Sequence, residues 1–268
     1  MTDPKSLEAR VSTWLREQGY PLEMRTARDL RLKGIWTQLG RYYTDIETGH
    51  QRETDVYARS NDFGKDSGDD STDVCLVIEC KSAREKPWVL FTDAQPRKVP
   101  RTIHRSERLA VPNRDWLYRL HRAGVACGPL PLLDGYEPFG YALVRAFNNG
   151  NDDVAYSAMM SVAKAAAGVW ADLAADVELV GVTDRAIVLP VLLIDAPLLR
   201  CDLDDNGQER LTRIDRGTVE WRYQLAPDHP LKTIITVVTT AALSELGDDL
   251  ITTAANLQGI DQRGIAGS

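Results

Sequence analysis

Several common catalytic machineries are missing from this 268-residue chain. Its four cysteines, Cys75, Cys80, Cys127 and Cys201, form no CxxC pair, which excludes a zinc ribbon and a thioredoxin-type dithiol and leaves them as reduced, buried small hydrophobes. The four histidines, His50, His104, His121 and His229, are scattered without an HExxH pattern, so a histidine-ligated zinc enzyme is not encoded. There is no GxSxG elbow and no GxxxxGK loop, which argues against serine-hydrolase and P-loop chemistry. Long apolar runs are absent as well. The nearest, Ala186 to Ile194, is interrupted by Pro190 and falls far short of the about 20 residues a membrane helix needs. The opening residues Met1-Thr2-Asp3-Pro4-Lys5 carry no hydrophobic signal segment. A cytoplasmic protein without a membrane partner is the expectation.

What remains is an ordinary globular composition, 43% hydrophobic and 26% charged, read as one domain over residues 1–268. The formal net charge of −7 disfavours polyanions, but it is unevenly spread. From Arg97 to Arg122 eight basic residues, Arg97, Lys98, Arg101, Arg105, Arg108, Arg114, Arg119 and Arg122, face only Glu107 and Asp115, a local excess of +6. Such a segment suits a polyanion and equally suits a solvated helical face. Between Asn61 and Asp73 the acids Asp62, Asp66, Asp69, Asp70 and Asp73 read as an exposed loop whose spacing is not that of an EF-hand.

Periodicity orders the rest. Asp3-Pro4 looks like a helix start, with Leu7, Val11, Trp14 and Leu15 at helical spacing up to Gly19. A second helix runs from Pro21 to near Gly34 with Ala27 and Leu30 inward. Glu23 shares that stripe, either as an inward acid or as a dipole-favoured residue near a helix start. Ile35 to Tyr43 and Arg52 to Arg59 form a hairpin, and Val74 to Lys81, the most hydrophobic of these strands, belongs at the sheet centre. Residues 97 to 126 read as mixed helix and loop. Ala158, Val162, Ala165, Val169 and Leu173 mark a long crossover helix. In Ile187 to Ile194, Pro190 suggests an edge or a bulge. Leu198 to Leu203, a turn at Asp205-Asn206-Gly207, Arg210 to Ile214, Val219 to Tyr223 and Ile234 to Val238 supply further strands. A final helix has Leu243, Leu246, Leu250, Ala254 and Leu257 on one face, before a frayed tail from Gly259.

Two apolar strands carry charge where burial is expensive. In Glu79-Cys80-Lys81 alternation puts the carboxylate and the amine on one face and Cys80 on the other, and Glu53 and Asp55 share a face on the preceding strand. Such groups demand a metal, a partner charge or a substrate. A plain salt bridge between Glu79 and Lys81 is the structural alternative.

The order of helical acid, hairpin, Asp55 on the second strand, Glu79-Cys80-Lys81 on the third, crossover helix and strand resembles the PD-(D/E)XK, or restriction-endonuclease-like, nuclease superfamily. The likeness covers residues 20 to 90 as motifs and the remainder as topology; Thr54 stands where the family has proline. The resemblance implies an α/β (α+β) fold: a restriction-endonuclease-like core with a central mixed sheet flanked by helices. The crossover helix and fourth core strand would occupy about 154–195, and a C-terminal antiparallel strand and helix extension about 196–258. It implies a Mg²⁺- or Mn²⁺-dependent phosphodiester hydrolase, a DNA endonuclease of a bacterial restriction, defence or repair type, with DNA favoured over RNA. A catalytically inactive or partner-activated nucleic-acid-binding module on the same fold is the alternative.

The resemblance makes Asp55, Glu79 and Lys81 catalytic, with Asp55, Glu79, the Cys80 carbonyl and Glu23 as metal ligands. Hard carboxylate oxygens suit Mg²⁺, and an amine beside them can orient the attacking water and offset phosphate charge. Glu53 is an auxiliary acid or an exposed strand-end glutamate. Nucleic-acid contacts fall to Lys86, Arg97, Lys98, Arg101, Arg105 and Arg108, with Ser82, Arg84, Trp88 and Gln95 as weaker candidates beyond the strand end. The segment from Leu198 to Val238 is a candidate homodimer interface or a sheet extension.

Overall fold

The computed structural model describes residues 6–60, 72–82, 86–93, 108–111, 117, 128–136, 139–147, 153–180, 185–224 and 232–264. Helix α1 spans Leu7–Glu17 and is capped by Ser6, whose hydroxyl accepts from the Ala9 N–H. Asp3 and Pro4 lie outside the described residues. The apolar stripe of α1 points outward, with Leu7 68% and Trp14 52% exposed. Helix α2, Tyr20–Leu32, buries Leu22, Thr26, Ala27 and Leu30 and stops before Gly34, whose φ of 79° a side chain would resist.

The hairpin follows as β1, Trp36–Thr44, and β2, Gln51–Arg59, and β3, Thr72–Ser82, pairs antiparallel with β2. Further along come β4 Trp88–Thr92, β5 Leu109–Val111, α3 Pro131–Asp134, β6 Phe139–Arg145, α4 Val154–Val180 and β7 Arg185–Asp195. The remaining elements are β8 Leu198–Leu203, β9 Glu209–Ile214, β10 Arg216–Trp221, β11 Thr233–Thr239 and α5 Leu243–Gly264. Among the described residues one mixed sheet of 11 strands runs in the order β1-β2-β3-β7-β11-β10-β6-β4-β8-β9, with β5 attached to β7. Among the described residues no helix is long and apolar enough to cross a membrane.

Alternation on β3 distributes the core between two faces. Val74, Leu76, Ile78 and Cys80 pack with α2 and α5, whose Leu243, Leu246, Leu250, Ala254 and Leu257 are buried as their spacing predicts. Cys75 and Val77 point the other way, toward Ala165, Ala166 and Val169 of α4. Helix α4 connects toward β7, which lies parallel to β3 over the full length from Thr72↔Arg185 to Ser82↔Asp195. Small residues let α4 approach closely. A Cβ on Gly168 would stand 2.6 Å from the Thr44 carbonyl oxygen and 2.4 Å from the Tyr43 ring. Gly168→Ala should therefore destabilise by about 1–3 kcal/mol in chemical denaturation despite its higher helix propensity, because the backbone of β1 must move.

Four expectations change. Pro190 occupies the middle of a central strand, paired with Val77, not an edge. Its tolerance is explained by the neighbours of β7: β5 pairs with residues 186–188 and β11 with residues 191–194, so Pro190 falls in the gap between them. The segment from Leu198 to Val238 extends the sheet, and β11 and β10 are inserted between β7 and β6 instead of being appended. Helix α5 continues past Gly259 to Gly264. Within the region read as helix and loop, residues 109–111 form β5.

A further change concerns Arg108, which is 2% exposed and cannot meet a phosphate. Its guanidinium donates to the carbonyls of Ile234, Leu132 and Leu133 at 2.9, 3.0 and 3.3 Å, tying β11 to α3. Arg108→Ala should cost roughly 2–4 kcal/mol in urea unfolding, since three buried carbonyls lose a charged donor.

Candidate active site

The β2–β3 ladder is registered from Arg59↔Cys75 to Val56↔Ile78. Asp55 and Glu79 are the next residues along, where the two strands part. The amide of Cys80 is thereby released from the ladder, and Asp55 Oδ2 accepts it at 2.7 Å. A backbone donor left without a strand partner is satisfied by the carboxylate the sequence singled out. By alternation from Tyr57 and Val77, the side chains of Asp55, Glu79 and Lys81 belong to the α4 side of the sheet.

Glu79 is 7% exposed and both its oxygens are engaged. Lys81 Nζ donates to Oε1 at 2.5 Å, and the hydroxyl of Ser161 on α4 donates to Oε2 at 3.1 Å. For Lys81, burial would lower the pKa, but attraction to Glu79 and then to Asp55 outweighs it and holds the amine protonated above its usual range. As arranged, Lys81 is a cation and a donor, suited to orienting a water and neutralising phosphate charge more than to removing a proton.

The acids act on one another. Burial first, then the charges of Glu79 and Glu23, lift Asp55 to about 7, against the opposing pull of the Cys80 N–H and Lys81. Glu23, on the first turn of α2, is raised by partial burial and then by Glu53 and Glu79. Glu53 itself is exposed, and its Oε1 lies where a Cβ on Gly40 would stand. Thus α2, β2 and β3 bring Glu23, Glu53, Asp55 and Glu79 within electrostatic reach. The Cys80 thiol is turned into the core beside α2, 4.0 Å from the Thr26 hydroxyl. Burial and then Asp55 push its pKa far above the ordinary thiol value, so it is inert packing and not a nucleophile.

Clustered carboxylates, here with Asp55 and Glu23 raised by burial and by their acidic neighbours, are the hard-oxygen donor set that a divalent cation relieves. In donor chemistry Asp55, Glu79 and Glu23 fit Mg²⁺ or Mn²⁺. Among the described residues no three His, Cys, Asp or Glu side chains are gathered into a metal-holding group, consistent with Glu79 being held by Lys81 and Ser161. The part of the Cys80 backbone shown to enter the site is its N–H.

Of the expected nucleic-acid contacts, Lys86 is half-buried just after β3. Trp88 is fully buried in the core against α4, and Arg97, Lys98, Arg101, Arg105, Arg84 and Gln95 lie outside the described residues. Two neighbours were missed by sequence reasoning. Ser161 follows Ala158 by three and precedes Ala165 by four, so it borders the inward stripe of α4. Tyr43 is buried on β1. Burial lifts its pKa to about 12, opposed by Arg52 and reinforced by Asp45 and Glu79. A cavity of about 960 Å³ lies elsewhere, lined by Phe91, Tyr141, Asp202, Asp205, Glu209 and Arg222, and includes none of the predicted site residues.

No protein-family model, no curated protein and no solved structure matches the chain. The chemistry of the site therefore rests on its own geometry.

Proposed function

We propose that the chain is a divalent-cation-dependent nuclease of the PD-(D/E)XK kind, acting on DNA. The observation that carries this reading is the fork at the end of the β2–β3 ladder. There Asp55 and Glu79 stand side by side, Lys81 shares the face of Glu79, and Glu23 arrives from the helix before the hairpin. The elements α2, β1, β2 and β3, and then, after β4, β5, α3 and β6, α4 and a β7 parallel to β3, follow the sequence of helix, hairpin, central strand, crossover helix and strand that the resemblance calls for.

In this reading Asp55 and Glu79, with Glu23 and the Cys80 carbonyl, would hold Mg²⁺ or Mn²⁺. The bound cation supplies Lewis-acid polarisation of the phosphoryl oxygen and an acidified water. Lys81, protonated and on the face of Glu79, would place a cation beside the scissile phosphate and a donor beside the attacking water. Asp55, raised to about 7, loses its proton readily once positive charge adjoins it.

One feature favours a second reading, a nucleic-acid-binding module that cuts only when a partner activates it: both oxygens of Glu79 are occupied by protein donors. Supercoiled plasmid, linear duplex and single-stranded DNA incubated with Mn²⁺, Mg²⁺ or EDTA separate the two. Metal-dependent cutting abolished by EDTA establishes the nuclease. Salt-dependent DNA retention without cutting establishes the module.

A further inference from the structure

Glu79 is held by two donors of unlike character. Lys81 Nζ sits at the end of a flexible chain whose side chain is 33% exposed. Ser161 Oγ is carried by α4, whose register against the sheet is locked from several sides. Ala158, Val162 and Ala165 are buried around it, and Gly168 meets the Tyr43 ring and the Thr44 carbonyl. Three residues beyond Ser161, Lys164 is tied to Glu47 at 2.6 Å and to Asp45 at 3.6 Å. A serine inside a helix commonly turns its hydroxyl back to the carbonyl four residues earlier. Here the hydroxyl instead reaches a carboxylate 82 residues away in sequence.

We propose that Ser161 is the positioning residue for Glu79. It fixes Oε2 to α4 and leaves Oε1, the oxygen now on Lys81, as the one free to change partner when a divalent cation is bound. The proposal rests on the metal-dependent reading above. It divides the two oxygens into a fixed and an exchangeable one, so the carboxylate is pre-oriented and Lys81 is released as a free donor in the same event. Hydroxyl and backbone groups that orient a ligating carboxylate from behind are worth about 10–100-fold in metal affinity.

The test is calorimetric titration of Mn²⁺, without any substrate, into the parent protein, Ser161→Ala and Ser161→Thr. Alanine has the highest helix propensity and leaves α4 intact, which the thermal midpoint in EDTA checks; Ser161→Cys serves as a second variant lacking the hydroxyl. The expected result is a Kd for Mn²⁺ raised about 10-fold or more in the alanine and cysteine variants and restored to near the parental value by threonine. In plasmid cutting, the same variants should need more Mn²⁺ for half-maximal rate and recover at saturating Mn²⁺. Parental affinity in Ser161→Ala, or a threonine variant as weak as alanine, overturns the role of Ser161 alone. A parent that binds no Mn²⁺ overturns the metal-dependent reading, and this proposal with it.

Discussion

Lys81→Ala should lose metal-dependent DNA cutting by about a thousandfold while still binding Mn²⁺. The amine stands 2.5 Å from Glu79 Oε1, and attraction to Glu79 and Asp55 keeps it protonated despite burial. Its removal takes away the charge set against the phosphate and the donor set against the water, but none of the oxygen ligands. The fold should survive with a modest loss, about 1–3 kcal/mol, because Glu79 keeps Ser161 as a donor but no longer has a countercharge. Lys81→Arg should not restore the rate, since a planar guanidinium cannot reproduce the point charge and reach of the amine. The measurements are single-turnover cutting rates and Mn²⁺ titrations on the same preparations. A Lys81→Ala protein that cuts at the parental rate would remove Lys81 from the mechanism and leave Glu79–Lys81 as a salt bridge.

Asp55→Asn should abolish cutting and at the same time raise the melting temperature of the metal-free protein. In the folded chain burial and the charges of Glu79 and Glu23 lift Asp55 from 3.8 to about 7. The folded state therefore binds this proton more tightly than the unfolded chain. The stability it confers is fully present below about 3.8 and is lost as pH rises through about 7. Asparagine has no charge to acquire and can still accept the Cys80 N–H through its amide oxygen, so it escapes that loss. In EDTA its advantage should be small near pH 4 and grow to about 1–2 kcal/mol by pH 8, a shift of about 2–8 °C for a chain of this size. Thermal melts of parent and variant across pH 4 to 8 measure it. An advantage that is flat with pH would mean that Asp55 is already ionised and well compensated in the folded protein. Adding Mn²⁺ should reverse the ranking, stabilising the parent and not the variant, because only the parent retains the ligand.

The contrast between these variants separates a built site from a structural ion pair. A salt bridge kept for stability loses stability when either partner is cut. A site that concentrates acids for function gains it when one acid is neutralised, and loses its chemistry. Arg108, a charged donor to three buried carbonyls, should lose stability when cut, as a structural ion pair does, whereas Asp55 should gain it when neutralised.

Much of this was determined locally. Strand alternation placed Glu79 and Lys81 on one face and Cys80 on the other. The helical repeat marked the inward stripes of α2, α4 and α5, and the hairpin β1–β2 and the central position of β3 followed from apolar runs between turn residues. Each of these depends on neighbours within a few positions, where periodicity carries the information. The outward stripe of α1 shows the limit of that signal: spacing identifies an apolar face but not what covers it.

Tertiary structure decided the rest, because it depends on which distant residues meet. The basic segment could not reveal that Arg108 faces three carbonyls from α3 and β11, more than 20 residues away at the nearest. Pro190 reads as an edge signal until β5 and β11 are seen to leave it a gap on β7. Ser161 is one polar residue in an alanine-rich helix until α4 is laid across the sheet and its hydroxyl reaches Glu79. The sequence alone determined that a carboxylate and an amine share one face of a central strand. The opening of the β2–β3 ladder and the crossing of α4, both long-range packing events, decided what satisfies them: Asp55 closes on the freed amide, and Ser161 closes on the buried carboxylate.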